Sequence, residues 1–583
     1  MAGHRSRIGT FTIEKNDDLS RLEHFIKQDV PSLDGLILNI KNQAPWDLLM
    51  LSDRGKDRKF FLEMTSRVLD ALTQLSIPTV ACLEQEVSGL ALQIALACDY
   101  RFASQDAYFS LPYIHWGLLP YGKTISRLIP MIGLQAAWDM VLTGRKIPSQ
   151  KALNIGLIHQ RTPPFSMENQ ITQLFESKPT KQIKKQAWSL ENSLLAKKVL
   201  YKRVKDLVDE KTGGIFSSTY QILNFLSEYA PGQEIDTLLK LLQTQETQSL
   251  LGIALMEFKR KKEGSPPKSR PIGILGGSPR LGGLAYLCAK KNQKIWLAEP
   301  RPGRMLEFFQ GIHSRLLKDI DKRILTPGEI EPMMTRISGE LTPIGFSQCG
   351  IVFEDLGLDN STKKTVLKDL KKNEPGNWIF ASYSEKPLLP SKNIFGLASH
   401  HDLRTPYFEV LYTDRSSLTL LQELLDFFSY YGIKAVGARG RFYAKGCLAA
   451  LRGEVLLLLN EGFSIESVDL ALKKLGSPLP LSKLDLGDLP PTGKKQDIQE
   501  IKDRLLYRWI KEAWEALGEG VFQTEDGADY ASLFGGGFPM TLGGPFCYSK
   551  RVGKNQVLTG LKELEQKHGA RFALSQNGSQ YGL

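Results

Sequence analysis

The residues whose spacing carries the most chemistry lie between Arg270 and Glu299. An apolar run with Ile272 and Ile274 enters a glycine cluster (Gly276, Gly277, Gly282, Gly283). A helix-forming stretch follows, and a second apolar run ends in Glu299. That is the order of a strand, a tight phosphate-facing turn, a helix and a second strand closed by an acid, the unit that holds a dinucleotide. An acid about twenty residues beyond the first glycine suits a ribose hydroxyl, and a carboxylate there disfavours a 2′-phosphate. In a G-x-G-x-x-G turn, Ser278 and Leu281 stand where glycine is required. Gly276, Gly277, Ser278 and Glu299 are therefore the expected cofactor contacts, on a turn with a crowded backbone. A unit of the same shape that serves structure alone is the other reading.

Positioning such a unit takes several folded parts. At 583 residues and 42% apolar composition the chain has material for about three to five domains. The N-terminal MAGHRSRIGTFTIEKNDD lacks an apolar core, and no apolar run is long enough to span a bilayer. A cytoplasmic protein is expected. Six cysteines (Cys82, Cys98, Cys288, Cys349, Cys447, Cys547) show no CxxC spacing, which predicts buried free thiols and no structural zinc or other metal site. A net charge of +12 suits an anionic ligand, yet the basic residues are spread over helical surfaces and no nucleic-acid module is present.

Ahead of this unit, Leu33 to Ile40 reads as a buried strand, Asp57 to Leu75 as an amphipathic helix and Ile77 to Leu83 as another strand. EQEVSGLALQIALACDYRFAS then reads as a turn into an apolar helix and back to a strand. Pro78, Ser88-Gly89, Ala95 through Asp99, Phe109, Pro112, Gly117, Pro120 and Arg127-Leu128, with Met140 through Gly144, Ala152 and Gly156-Leu157, resemble the crotonase (enoyl-CoA hydratase/isomerase) family. The resemblance implies a ββα-spiral fold and an acyl-CoA thioester ligand. It also implies two carboxylates that hold a water and move its proton, with two backbone N–H groups stabilising the enolate oxygen. Those carboxylates fall at Gln93 and Tyr113, and the oxyanion donors around Leu49 and Leu90. An amide does not titrate and a phenol ionises near pH 10, so a retained fold with a lost hydratase site is the favoured reading.

Lys178 to Lys211 and Ser217 to Lys262 carry helical periodicity, and KRKKEGSPPKSR reads as a linker rather than a nucleic-acid tail. The run from Leu200 through TGGIFSSTYQILNFLSEY to SLLGIALMEFKRKK resembles the linker of the α-subunit family of bacterial fatty acid oxidation complexes. In these a crotonase domain precedes a 3-hydroxyacyl-CoA dehydrogenase, and a thiolase β-subunit is the partner. The resemblance implies NAD at the Rossmann unit, with Glu299 at the adenosine ribose and Glu354 closing the next strand, CGIVFE. WIFAS resembles the strand before the catalytic loop, which here continues Tyr383, Ser384, Glu385. The catalytic His of the family falls at Ala398 and the Glu that orients it at Glu409. With a shift, His400 or His401 could serve, since imidazole titrates near neutral pH; a surface histidine pair is the alternative. The substrate-contacting Asn falls near Lys445, which suits a CoA phosphate or a solvated face.

Phe442 to Asn460, followed by FSIESVDLALKKLGSPLP, resembles the first helical repeat of the dehydrogenase's C-terminal part. IKDRLLYRWIKEAWEALGEGV with DYASLFGGGFPMTLGGPFCYSKRVG resembles the second. The expected architecture is α/β multidomain: a crotonase-like domain (1–165), a helical extension and linker (166–270), a Rossmann-like domain (271–435) and two all-α repeats (436–490 and 491–583). Two functions remain open. One is a β-oxidation multifunctional homologue with one or both activities, and the other a non-catalytic scaffold or regulatory subunit.

Overall fold

The computed structural model describes residues 7–14, 18–41, 46–53, 57–177, 179, 194–229, 232–263, 270–321, 325–373, 378–399, 407–484, 486–487 and 493–579. They form two compact units, Met1–Leu255 and Met256–Leu583.

In the first unit the strands are β1 (Ile8–Ile13), β2 (Gly35–Ile40), β3 (Thr79–Leu83), β4 (Glu86–Ser88), β5 (Tyr100–Ser104), β6 (Tyr108–Ser110), β7 (Ile147–Pro148) and β8 (Gln160–Thr162). Five make a parallel sheet in the order β1-β2-β3-β5-β8, and β4-β6-β7 make a smaller one. All five residues of β3 are buried, which is why this strand reads as a continuous apolar run rather than an alternating one. The helix Leu90–Ala97 is likewise buried at every position. Thr79 donates to Asp99 Oδ2 from its backbone N–H (3.0 Å) and its hydroxyl (2.9 Å), tying β3 to the start of β5.

The periodic stretch Ser217 to Lys262 resolves into three helices, Ser217–Ser227, Glu234–Gln243 and Gln245–Glu263. Glu246 holds the start of the first by accepting from the N–H groups of Ser217 (2.9 Å) and Ser218 (3.1 Å). Of the helical run expected from Lys178, Leu194–Thr212 is a helix; residues 178 and 180–193 lie outside the described residues.

The second unit carries β9 (Ile272–Leu275), β10 (Ile295–Ala298), β11 (Ile337–Glu340), β12 (Ile351–Glu354), β13 (Ile379–Tyr383), β14 (Ile394–Ala398), β15 (Tyr407–Tyr412) and β16 (Lys434–Arg439). Their order is β11-β10-β9-β12-β13-β14-β15-β16, parallel except between β14 and β15. The order reverses at β9, between β10 and β12, and that is where a doubly wound sheet opens a ligand crevice.

Two expected boundaries shift. β16 straddles 435/436 because it pairs with all six residues of β15. The unit begins at Met256 rather than after Arg270, because Arg260 stacks 4.2 Å over the Tyr530 ring, donates to the Ala435 carbonyl (3.3 Å) and accepts from Ser429 Oγ (3.0 Å).

The C-terminal helices share one core. Arg504, fully buried, donates from Nε to Glu454 (2.7 Å) and from Nη2 to Glu461 (3.0 Å), and Arg571 Nε reaches the same Glu454 at 2.7 Å. This ion-pair network links the two expected repeats. Ser464 caps Ile465–Leu475 by accepting from Ser467 N–H, the helix start its sequence signalled. The glycine-proline turn ends where Asp529 accepts from the N–H groups of Phe546 (2.7 Å) and Cys547 (2.9 Å). All six cysteines are free, five of them buried, and no described helix is long and apolar enough to cross a membrane.

Candidate functional site

Gln93 and Tyr113 meet in the first unit. Gln93 Nε2 donates to the Tyr113 phenol oxygen, and the Tyr113 hydroxyl donates to Asp47 Oδ2. All three side chains are fully buried. Asp47 was not legible as a site residue: it is a single acid in the first turn of a short helix, Trp46–Ser52. Gly89 makes room for it. With φ +58 the chain turns there into the helix Leu90–Ala97, and a Cβ at Gly89 would stand 3.1 Å from Asp47 Oδ1.

Burial pushes the Asp47 carboxyl up to about 6, opposed by the Tyr113 hydroxyl and by nearby backbone N–H groups, that of Leu90 among them. The N–H expected to receive a thioester oxygen thus faces an acid of the same chain. Burial, and next the Asp47 charge, push the phenol of Tyr113 well above its ordinary range, so it acts here as a hydrogen-bond relay and not as a base. Tyr121 packs edge-on against it, 5.8 Å between centroids. Leu49, the other expected oxyanion position, is 38% exposed, whereas Leu90 is fully buried. Among these residues Asp47 is the group able to carry a proton near neutral pH.

In the second unit the glycine turn has its expected place at the end of β9. Gly276 takes φ +105, and a Cβ on it would lie 2.4 Å from the Asp355 carbonyl oxygen, so no other residue fits between β9 and the loop after β12. Ser278 caps the helix Pro279–Lys290, its hydroxyl accepting from Leu281 N–H at 3.3 Å, and Leu281 joins the core instead of leaving the gap a glycine leaves.

Glu299, buried at the end of β10, accepts four N–H bonds. Oε1 takes Arg301 N (3.1 Å) and Nε (2.6 Å); Oε2 takes Gly277 N (2.7 Å) and Arg301 Nη2 (3.0 Å). Burial raises its pKa, but the Arg301 guanidinium and these N–H groups outweigh burial and hold it below the usual carboxylate value. Glu354 is also engaged, by Leu356 N (2.7 Å), Ser382 Oγ (2.5 Å) and the buried Lys363 Nζ (3.3 Å). These residues do not fit an NAD ribose held by Glu299, because the carboxylate has no acceptor position to spare.

Of the expected catalytic residues, Glu409 falls within the described residues. Ala398, at the end of β14, lies opposite Glu409 in the register with β15. Glu409 is fully buried and accepts from Tyr443 N (2.7 Å), Ala444 N (2.9 Å) and the Tyr407 hydroxyl (3.0 Å), and burial pushes it up to about 7. It caps the helix Tyr443–Asn460. His400 and His401 lie outside the described residues. Lys445 pairs with Glu385 at 2.6 Å, both side chains more than half exposed.

Residues 44–208 match the family described as enoyl-CoA hydratase/isomerase. The fatty acid oxidation complex subunit alpha of Aliivibrio fischeri is 25% identical over 90% of this chain and 90% of its own. That of Vibrio cholerae is 24% identical over 87% and 85%. Among solved structures, 3-hydroxybutyryl-CoA dehydrogenase from Escherichia coli K12 covers 54% of this chain and 98% of its own, at 14% identity and a TM-score of 0.47. The N-terminal region is thus of the enoyl-CoA hydratase/isomerase class. Over most of its length the chain is similar, at 24–25% identity, to fatty acid oxidation complex α-subunits.

Proposed function

We propose that the protein is an acyl-CoA-related subunit of a β-oxidation-type assembly that keeps the shape of both catalytic parts and performs neither hydration nor dehydrogenation by the family route. The observation that carries this reading is Glu409: placed opposite Ala398, it accepts from the N–H groups of Tyr443 and Ala444 and, among the described residues, from no histidine. Gln93 and Tyr113 support it, since neither exchanges a proton near neutral pH and each missing acid or base costs about two to four orders of magnitude in rate. NAD binding is weak or absent in this reading. The similarity to the relatives over most of the chain supports the same reading.

Crotonyl-CoA hydration and 3-hydroxybutyryl-CoA oxidation, followed by absorbance with the purified protein, should both stay below detection. Robust turnover abolished by changing Gln93 or Tyr113 would overturn the reading. The partner is a thiolase-like β-subunit, engaged through the stretch Lys178 to Lys262, of which Leu194–Thr212, Ser217–Ser227, Glu234–Gln243 and Gln245–Glu263 are described helices. Co-purification from the native source tests this, and a chain that stays monomeric and retains no thiolase defeats it.

A second reading has one observation in its favour. Asp47, pushed up to about 6 and bonded to Tyr113 beside Leu90, could replace the missing carboxylates as the proton carrier of a surviving hydratase. Turnover lost in Asp47→Asn while the fold persists would select it.

A further inference from the structure

The acid at the end of β10 is the feature on which the dinucleotide expectation rests, and its surroundings point to a different ligand. Each Glu299 oxygen already receives two N–H donors. A ribose hydroxyl arriving there would have to break one of these bonds or leave its own proton unmet, a loss of about 1–3 kcal/mol in a buried site.

The donors left over at the crevice are guanidinium groups. Arg301 uses Nε and Nη2 on Glu299 and Nη2 again on the Leu356 carbonyl (3.2 Å), which leaves Nη1 without a hydrogen bond among the described residues; its side chain is 40% exposed. Arg304, exposed in the first turn of Pro302–Asp321, reaches across the switch point. A Cβ at Gly277 would stand 3.0 Å from its carbonyl oxygen, and one at Gly357, beyond β12, 3.6 Å from its Nη1. Arg304 makes no ion pair among the described residues. Arg280, on the opposite wall, lies 4.1 Å over the Tyr383 ring and 3.5 Å from Asp355 Oδ2. Three acids at the ends of these strands are matched: Glu299 by Arg301, Glu354 by Lys363 and Asp355 by Arg280. What the ends of β9, β10 and β12 offer a ligand is therefore positive charge and forked N–H donors.

We propose that this crevice selects an adenosine whose ribose carries a phosphomonoester, bound through Arg301 and Arg304, over the unphosphorylated ribose of NAD. A phosphate supplies the acceptor oxygens that these donors lack, and guanidinium groups bind it in a bidentate fork. The preference is the reverse of the one the bare sequence implies for Glu299. It does not depend on whether either activity survives.

Two sources share this chemistry, a 2′-phosphate as in NADP and a 3′-phosphate as in CoA. Calorimetric titration of the full chain with 2′,5′-ADP, 3′,5′-ADP, 5′-ADP and NAD separates them. One of the two ribose bisphosphates should bind at least about tenfold more tightly than 5′-ADP, which carries both phosphates as a diphosphate on the 5′ oxygen, as expected for one charge-assisted bond gained. Whichever binds identifies the source. Arg304→Ala, a change at an exposed position, should remove the preference, and Arg301→Ala should remove it as well. Equal binding of all four, no binding of either bisphosphate, or a preference that survives Arg304→Ala would overturn the proposal. Because the readout is binding, such a failure would leave the turnover test of the proposed function standing on its own.

Discussion

Ala398 and Glu409 stand directly opposite each other across β14 and β15, the single antiparallel pair in the second unit's described sheet. A methyl group faces the acid where an imidazole would be oriented, and the acid has turned to the start of Tyr443–Asn460. Glu409→Ala should therefore lower stability by about 2–4 kcal/mol, since two buried N–H groups lose their acceptor. Glu409→Gln, which keeps one carbonyl oxygen, should cost about half as much. Urea unfolding of the three proteins checks this, and an alanine variant as stable as the parent would refute the capping role.

Asp47 gives a pH signature. Its pKa is raised from 3.8 to about 6 in the folded chain. The unfolded chain thus releases this proton first, the native state binds more protons between those values, and stability falls as pH rises through that window and stays low above it. Two units correspond to about 3 kcal/mol. Asp47→Asn should remove this penalty, stabilising the protein at about pH 8 and having little effect near pH 4. The opposite order of the two unfolding midpoints would contradict the buried, unpaired state of the acid.

Gly276 and Gly303 make a matched pair. Alanine at Gly276 meets the Asp355 carbonyl at 2.4 Å and an unfavourable φ of +105, whereas at Gly303, in the helix Pro302–Asp321, nothing lies within 4 Å. Gly276→Ala should cost more than about 2 kcal/mol and Gly303→Ala should be neutral or stabilising by up to about 1 kcal/mol. Thermal unfolding resolves the difference, and similar midpoints for the two variants would show that the turn can open.

Arg504 is the hub of the C-terminal network. Arg504→Met should destabilise by about 3–5 kcal/mol, because Glu454 stays buried with its charge only partly matched by Arg571. Arg571→Met, at a position 26% exposed, should cost less. Chemical denaturation ranks the two, and a reversed ranking would move the weight of the network to Arg571.

Elements written as local patterns were legible: the helix Arg58–Gln74, the strand closing on Glu299 and the helix start at Ser464 follow from periodicity and capping residues. What stayed hidden was partnership over distance. Nothing near Asp47 announces Tyr113, sixty-six positions away, and the readings of Glu299 as a ribose contact and of Glu409 as an orienting acid left out the N–H donors that fold onto them. Arg301 was the exception within reach, since a guanidinium two positions from a buried acid can always close back on it. The boundary at 435/436 fell inside a strand because an apolar run does not say where its pairing ends.

The strand order also separates two timescales of assembly. From β12 to β16 every strand pairs with the next one along the chain, so this edge can grow by short steps. The contact between β9 and β12 instead waits for the whole excursion through β10 and β11 to return, a closure of high contact order. The crevice exists only once that contact is made. The arginines of the crevice are thus brought together by a contact that spans the excursion through β10 and β11, and not by neighbours in sequence.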